Sequence, residues 1–311
     1  MRKPAMRIVL AEAMGMCFGV RDAIEIALRE AARGPITVLG ELVHNPVVVS
    51  RLRAAGVLAA RTPQEVVTRR VLVSAHGTCE AVREALRLGG HEVLEATCPL
   101  VSRVHLAARR LHEEGYHVAI VGVEGHTEVR GVVGDLPEST VVLSDDDVER
   151  LRGRARVGVV AQTTQPLSRV LALVRTMRER LPRAEVRLVD TVCQPTKDRQ
   201  LAAERLAAQV HVVVVVGAAH SNNARELATT CERMGARVHR VAAAAEVRGE
   251  WFDGIDAVGL TAGTSVPDDT IDAVLSALRQ RAARAGQQAG ADKDETVDDQ
   301  PRDGEALADV A

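Results

Sequence analysis

VHVVVVVGAAHSNNARELATTCERM, residues 210–234, decides the class of fold. It opens on seven residues that are apolar apart from His211, far short of the roughly 20 that cross a bilayer. A β-branched run of that kind reads as a strand buried on both faces. A glycine and a polar loop follow, then a segment with helical spacing that begins near Ser221-Asn222-Asn223, residue types that cap helices. The same strand, loop and helix recur along the chain. Apolar runs at 8–10, 37–39, 71–74, 117–121, 156–160, 186–189, 210–216 and 257–260 alternate with amphipathic segments at 20–32, 46–55, 80–88, 100–114, 167–181, 196–208, 223–234 and 268–283. The predicted class is therefore α/β with parallel sheets.

In parallel sheets the loops leaving the carboxyl ends of the strands gather on one side, where ligands bind. Four apolar runs end in loops that carry histidine, at His44, His76, His126 and His220. Asn45-Pro46 and Ser221-Asn222-Asn223 also open helices, whose free N–H groups and dipole favour phosphate oxygens. One such histidine alone would more often be structural, but His44, His76 and His126 in equivalent positions can surround one anion. A zinc site competes with this reading; it lacks the short His-x-x-x-His or Cys-x-x-Cys spacing that would make it strong. Glu128, two residues beyond His126, is the carboxylate best placed to deliver protons. Thr163 in Gln162-Thr163-Thr164 and Ser265 in Thr264-Ser265 offer hydroxyls on the same side, although each loop alone could be a capped turn. His220 divides between a phosphate contact and a helix cap.

Cys17, Cys98 and Cys193 each lie in a turn beside Gly or Pro, at comparable intervals. Three unrelated thiols are the plain alternative, but loop positions let side chains project into a shared cavity. Three soft ligands suit an iron–sulfur cluster, which four would saturate and three leave with one open corner. Cys79 and Cys231 read as ordinary small buried residues. An odd set of five cysteines without close spacing points to reduced thiols in the cytoplasm rather than to a disulfide scaffold.

With 311 residues, 46% of them hydrophobic, the chain can bury several cores, and aromatics at 1% leave aliphatic side chains to fill them. Net charge is −2 with both signs interspersed, so neither nucleic acid nor a membrane surface is an expected partner. The apolar start is interrupted by Glu12 and is too short for a signal-peptide core. The expected layout is three α/β modules at 1–97, 98–192 and 193–285, the final helix packing back on the first. A disordered acidic tail at 286–311 is expected to follow. No residue-level repeat is apparent among the modules, so threefold symmetry is an expectation about structure alone.

The ordered motifs GMCFGV (15–20), ELVHNPVVV (41–49), SAHGT (74–78), ATCPLVSRVH (96–105), GVEGHTEV (122–129), AQTTQ (161–165), DTVCQPTKDRQ (190–200), HSNNARE (220–226) and TAGTSVPD (261–268) make the chain resemble the LytB-type 4-hydroxy-3-methylbut-2-enyl diphosphate reductase family over about 7–283. That resemblance implies three α/β modules with parallel sheets in a pseudo-threefold arrangement around a central 4Fe-4S cluster, held by Cys17, Cys98 and Cys193. It implies diphosphate contacts from His44, His76, His126, Ser221, Asn222, Asn223 and Ser265, with Glu128 and Thr163 near the substrate hydroxyl. It also implies a small allylic diphosphate as substrate and ferredoxin or flavodoxin as electron donor. Asn222 stands where the family also uses serine, His220 where asparagine is common, and Thr127 where proline is common. A quinolinate-synthase-like dehydratase, with carboxylate substrate, and an iron–sulfur sensor or electron carrier are the other readings; the carrier would need the cysteines but not the His, Ser, Asn and Glu set.

Overall fold

The computed structural model describes residues 6–43 and 45–291, with side chains described as far as residue 283. The chain enters through β1 (Arg7–Leu10) and α1 (Phe18–Ala31) and builds β2 (Ile36–Leu39), α2 (Pro46–Ala54), β3 (Val57–Ala60), β4 (Arg70–Val73), α3 (Glu80–Leu88) and β5 (Glu92–Glu95). Helix α4 (Pro99–Glu113) leads to β6 (His117–Val121), α5 (Thr127–Gly134), β7 (Ser139–Val142), β8 (Arg156–Ala161), α6 (Leu167–Arg180) and β9 (Glu185–Leu188). Helix α7 (Gln194–Ala207) leads to β10 (Val212–Val216), α8 (Asn222–Arg233), β11 (Arg237–Val241), β12 (Ala257–Ala262) and α9 (Asp268–Ala291). No described helix is long and apolar enough to cross a membrane.

Three four-stranded sheets result, ordered β3-β2-β4-β5, β7-β6-β8-β9 and β11-β10-β12-β1. The pairings are parallel throughout. Read from β10, the third sheet repeats the order of the other two, and its fourth strand is the start of the chain. The register Arg7↔Ala257 to Leu10↔Leu260 thus takes β1 out of the 1–97 module and into the third. Chain position alone misplaced it, because a four-residue apolar strand carries no label for its partner. Helix α9 packs on that same third sheet, with Ile271, Val274 and Leu278 in one core with Val214 and Leu260. Its link toward the first sheet is an ion pair between Asp269 and Arg51 of α2. The helix runs to Ala291, into the stretch expected to be a disordered tail, where alanine and glutamine sustain helical backbone. The rest of that tail, 292–311, lies outside the described residues.

Each sheet has a core on both faces, as parallel sheets require. Val214, Leu260 and Leu278 lie on one side of the third sheet and Val213, Leu206 and Leu227 on the other. Fully buried aliphatic side chains, each worth about 1.5–3 kcal/mol of burial, do the packing that aromatics do elsewhere. The modules also share a small residue-level signature: Gly40, Gly122 and Gly217 each follow the first strand of a sheet. Their N–H groups donate to the second strand's exit, to Ala60 O at 2.7 Å, Val142 O at 3.2 Å and Val241 O at 2.8 Å. A Cβ on Gly217 would lie 2.5 Å from Ala224 Cβ, so glycine lets α8 begin hard against the turn.

Candidate active site

The cysteines occupy one position repeated three times. Cys17, Cys98 and Cys193 are the N-cap residues of α1, α4 and α7, the helices that leave the fourth strand of one sheet and lead to the next. Each cysteine N–H donates to the carbonyl two residues beyond the third strand of its own sheet: Cys17 to Thr264 O at 3.0 Å, Cys98 to Ala75 O at 3.1 Å and Cys193 to Thr163 O at 3.1 Å. All three side chains line one cavity of about 750 Å³, open mouth included. Gly19 makes room for one of them, since a Cβ there would sit 2.5 Å from Cys98 Sγ.

Helix N-termini ordinarily acidify thiols. Here burial wins: it pushes Cys98 up against the opposing Leu100 and Val101 amides, and Cys193 up to about 11. Metal-free, both sulfurs are therefore held as thiols, and a cationic core must displace their protons to bind. Among the described residues no three His, Cys, Asp or Glu side chains close around a single ion. Three soft sulfurs that line one cavity without closing on a single ion suit a polynuclear iron–sulfur core.

Most of the polar lining comes from the segments after the first and third strands, the topological switch points of the three sheets. Helices α2, α5 and α8 start there, capped by Asn45, His126 and Ser221. Their dipoles add positive potential toward the centre. Asn45 Nδ2 donates to Ser265 O at 2.8 Å and Asn222 Nδ2 to Thr164 Oγ1 at 3.0 Å, so each bond ties loops of different modules. The amide of Asn222 is what makes this reach, one atom beyond a serine hydroxyl. Asn223 accepts from Thr264 N at 3.0 Å through Oδ1, while its buried Nδ2 has no partner in the protein and remains a donor for a ligand. His126 Nδ1 accepts from Glu128 N at 3.2 Å, which places the proton of a neutral ring on Nε2, and His76 meets this ring edge-on at 5.6 Å between centroids.

Glu128 is 2% exposed. Its Oε1 accepts from Thr163 N at 2.7 Å and its Oε2 from Thr163 Oγ1 at 2.9 Å. Burial outweighs these two donors and pushes the carboxyl up to about 7. Between the ordinary value of 4.5 and about 7 the folded chain keeps a proton that the unfolded chain has lost. Stability of the cluster-free chain therefore falls as pH rises through that window. Glu128→Gln is expected to flatten this dependence and, at pH 8, to stabilise the cluster-free chain by up to about 3 kcal/mol. Urea melts at pH 5 and pH 8 read this directly; identical pH slopes for both chains would refute it.

Of the residues singled out from sequence, Cys17, His76, Cys98, His126, Glu128, Thr163, Cys193, Ser221, Asn222, Asn223 and Ser265 all line this cavity. His44 lies outside the described residues. His220 is half exposed, with Nε2 at 4.0 Å from Glu41 Oε2. Thr196 also lines the cavity, with Oγ1 at 3.0 Å from Cys193 Sγ. It was not singled out from sequence, and its only signal there was its place one turn after a cysteine. Thr127 occupies the first position of α5, where proline is well suited.

The family model described as LytB protein matches residues 8–279. A 4-hydroxy-3-methylbut-2-enyl diphosphate reductase of Methylibium petroleiphilum is 40% identical over 278 residues, covering 88% of this chain and 84% of that protein. One of Ralstonia nicotianae is 37% identical over 284 residues, covering 89% and 88%. The solved E-1-hydroxy-2-methyl-but-2-enyl-4-diphosphate reductase of Plasmodium falciparum superposes with a TM-score of 0.83 at 25% identity, over 88% of each chain. A solved (E)-4-hydroxy-3-methyl-but-2-enyl diphosphate reductase, the terminal enzyme of the non-mevalonate pathway, gives 0.65 at 35% identity, over 88% of this chain and 99% of that one.

Proposed function

The chain belongs to the LytB family, and from that premise we propose that it reduces (E)-4-hydroxy-3-methylbut-2-enyl diphosphate to isopentenyl and dimethylallyl diphosphate. Two electrons and two protons enter and the hydroxyl leaves as water. The reading is carried by one observation: three cysteines are set by the same backbone hydrogen bond in three modules and turned into one cavity. One 4Fe-4S cluster, bound by Cys17, Cys98 and Cys193 with its fourth corner open, would supply the electrons and a Lewis-acidic iron for the hydroxyl.

The chain's own residues do the rest. His44, His76, His126, Ser221, Asn222, Asn223 and Ser265 bind the diphosphate, whose burial without such donors would be prohibitive. The Asn223 Nδ2 that lacks a partner supports this role. Glu128 holds a proton on its carboxyl near neutral pH. With Oε2 protonated the donor and acceptor exchange: the threonine hydroxyl turns to the substrate hydroxyl, and as it releases its proton there Glu128 passes one to Thr163 Oγ1 across the 2.9 Å contact. Phe18, Val20, Val43, Leu100 and Val101 give the cavity an apolar wall, which excludes water from the allylic carbons. Ferredoxin or flavodoxin is the proposed electron donor.

The test is anaerobic reconstitution with iron and sulfide, then reductive turnover of the hydroxylated diphosphate with product analysis. A fully loaded chain that makes neither five-carbon product would sink the assignment. A chain that exchanges electrons but leaves the substrate intact would indicate a carrier. Gly19→Ala is expected to crowd Cys98 Sγ and to speed iron loss to a chelator several-fold, with the far-ultraviolet dichroism unchanged. Equal loss rates would mean that the sulfur has room to move.

A further inference from the structure

Helix α7 carries a buried charge that the reaction above does not use. Of the residues buried on this helix, Arg199 alone is charged, at 8% exposure. Its Nε and Nη2 both donate to Gly15 O, at 3.0 and 2.8 Å, and its Nη1 donates to Pro195 O at 3.0 Å. Gly15 lies two residues before Cys17 and Pro195 two residues after Cys193, so one guanidinium bridges the segments that set two of the three sulfurs. Arg199 also lines a solvent-facing cleft with Cys17, Phe18 and Pro195.

A guanidinium taken out of water needs a countercharge. The partners found here are two carbonyls, which carry only partial charge. Asp22 and Asp198 also line that cleft but are exposed, where water screens them; the other negative charges near the guanidinium are those that Cys17 and Cys193 carry as thiolates. An arginine that bridges these two segments therefore gains its countercharge when both cysteines are bound as cluster ligands.

We propose that Arg199 is the fixed countercharge of the cluster: it holds the Cys17 loop against α7 and favours the reduced, more negative state of a cluster bound by Cys17, Cys98 and Cys193. The inference rests on the cluster proposed above. In the step concerned, one electron from an external low-potential one-electron carrier enters a core of charge 2+, which becomes 1+. With three thiolates the net charge goes from −1 to −2. No bond to Arg199 forms or breaks, and the guanidinium keeps its proton throughout. A permanent cation between the segments that carry Cys17 and Cys193 lowers the energy of the added electron and does so equally at any pH where the protein is folded.

The experiment is a mediated spectroelectrochemical titration of the anaerobically reconstituted full chain, with Arg199→Gln and Arg199→Lys beside the wild type. The glutamine variant is expected to move the one-electron equilibrium at least about tenfold toward the oxidised state, about 59 mV more negative, by the same amount from pH 6.5 to 8.5. The lysine variant keeps the charge without the fork and is expected to stay within about threefold of the wild type. A glutamine variant with a full cluster at an unchanged potential overturns the proposal, as does a lysine variant displaced as far as the glutamine one. Should glutamine fail to assemble a cluster, lysine decides alone: a wild-type equilibrium supports the countercharge and a tenfold shift removes it. If neither variant assembles and both cluster-free chains melt below the wild type, Arg199 is a structural clamp only and the proposal is wrong. A wild-type chain that binds no iron brings down the proposed function, and this inference with it.

Discussion

A chain carrying serine at Cys17, Cys98 or Cys193 is expected to leave anaerobic reconstitution without a cluster and without measurable turnover. The expectation follows from the geometry of the three anchors. Each is fixed by its own backbone hydrogen bond to its own sheet, so a neighbouring cysteine cannot swing in to replace a missing one. Changes to groups that merely support a metal ligand typically cost 10–100-fold in affinity, and loss of a ligand outright must exceed that. The informative control is Cys79. It too is an N-cap residue, of α3, but its sulfur faces Gly134, where a Cβ would lie 2.8 Å away. Cys231 is fully buried, with burial pushing it up to about 12. Serine at Cys79 or Cys231 is expected to leave iron, sulfide and turnover near wild-type values. Iron and sulfide analysis of all five variants decides the matter. An intact cluster in a serine variant of any of the three anchors would overturn the ligand assignment.

Sequence patterning revealed the strands that are buried on both faces and little of those at the edges. Strands β2, β4, β6, β8, β10 and β12 form the sheet interiors, and each appeared as an apolar run. The undetected strands are all edges: Val57–Ala60, Glu92–Glu95, Ser139–Val142 and Arg237–Val241. One face of an edge strand meets solvent or a thin layer, so Glu92, Glu95, Arg237 and Arg240 are tolerated and the apolar run disappears. Helix α5 also escaped notice, although it carries Glu128, because TEVRGVVG is short and holds two glycines. Both are needed for packing: a Cβ on Gly131 would come 3.3 Å from His105 Cε1, and one on Gly134 would meet Cys79. The lining of the cavity was more legible than the edge strands. Ligand-binding loops must present polar and soft side chains where a core would want apolar ones, and such residues contrast sharply with the valine runs that precede them. Arg199 lacked that contrast, since a charged residue on a helix reads as solvent-facing until the packing of α7 turns it inward.

Glu128→Gln is expected to lose about 10²–10⁴-fold in kcat with the cluster retained, the range that positioned proton transfer contributes. Glutamine preserves the shape and can still accept from Thr163, so the cavity stays formed while the exchangeable proton is gone. In the wild type, the carboxyl near 7 should make turnover decline as pH rises above that value, since the acid form is the one that delivers a proton. Thr163 tests the same chain of contacts from the other end. Its hydroxyl and amide both favour the ionised carboxylate, so Thr163→Val removes one of the two donors and should move the alkaline limb to higher pH while lowering the maximal rate. A residue that only braced the loop would change rate without moving that limb. The glutamine variant should also be the more stable chain above pH 7 in its cluster-free form, because it no longer loses a buried proton there. Greater stability together with lost turnover is what a group kept for chemistry at the expense of folding produces. A Glu128→Gln chain that turns over normally with a full cluster would show that the proton comes from elsewhere in the cavity or from solvent.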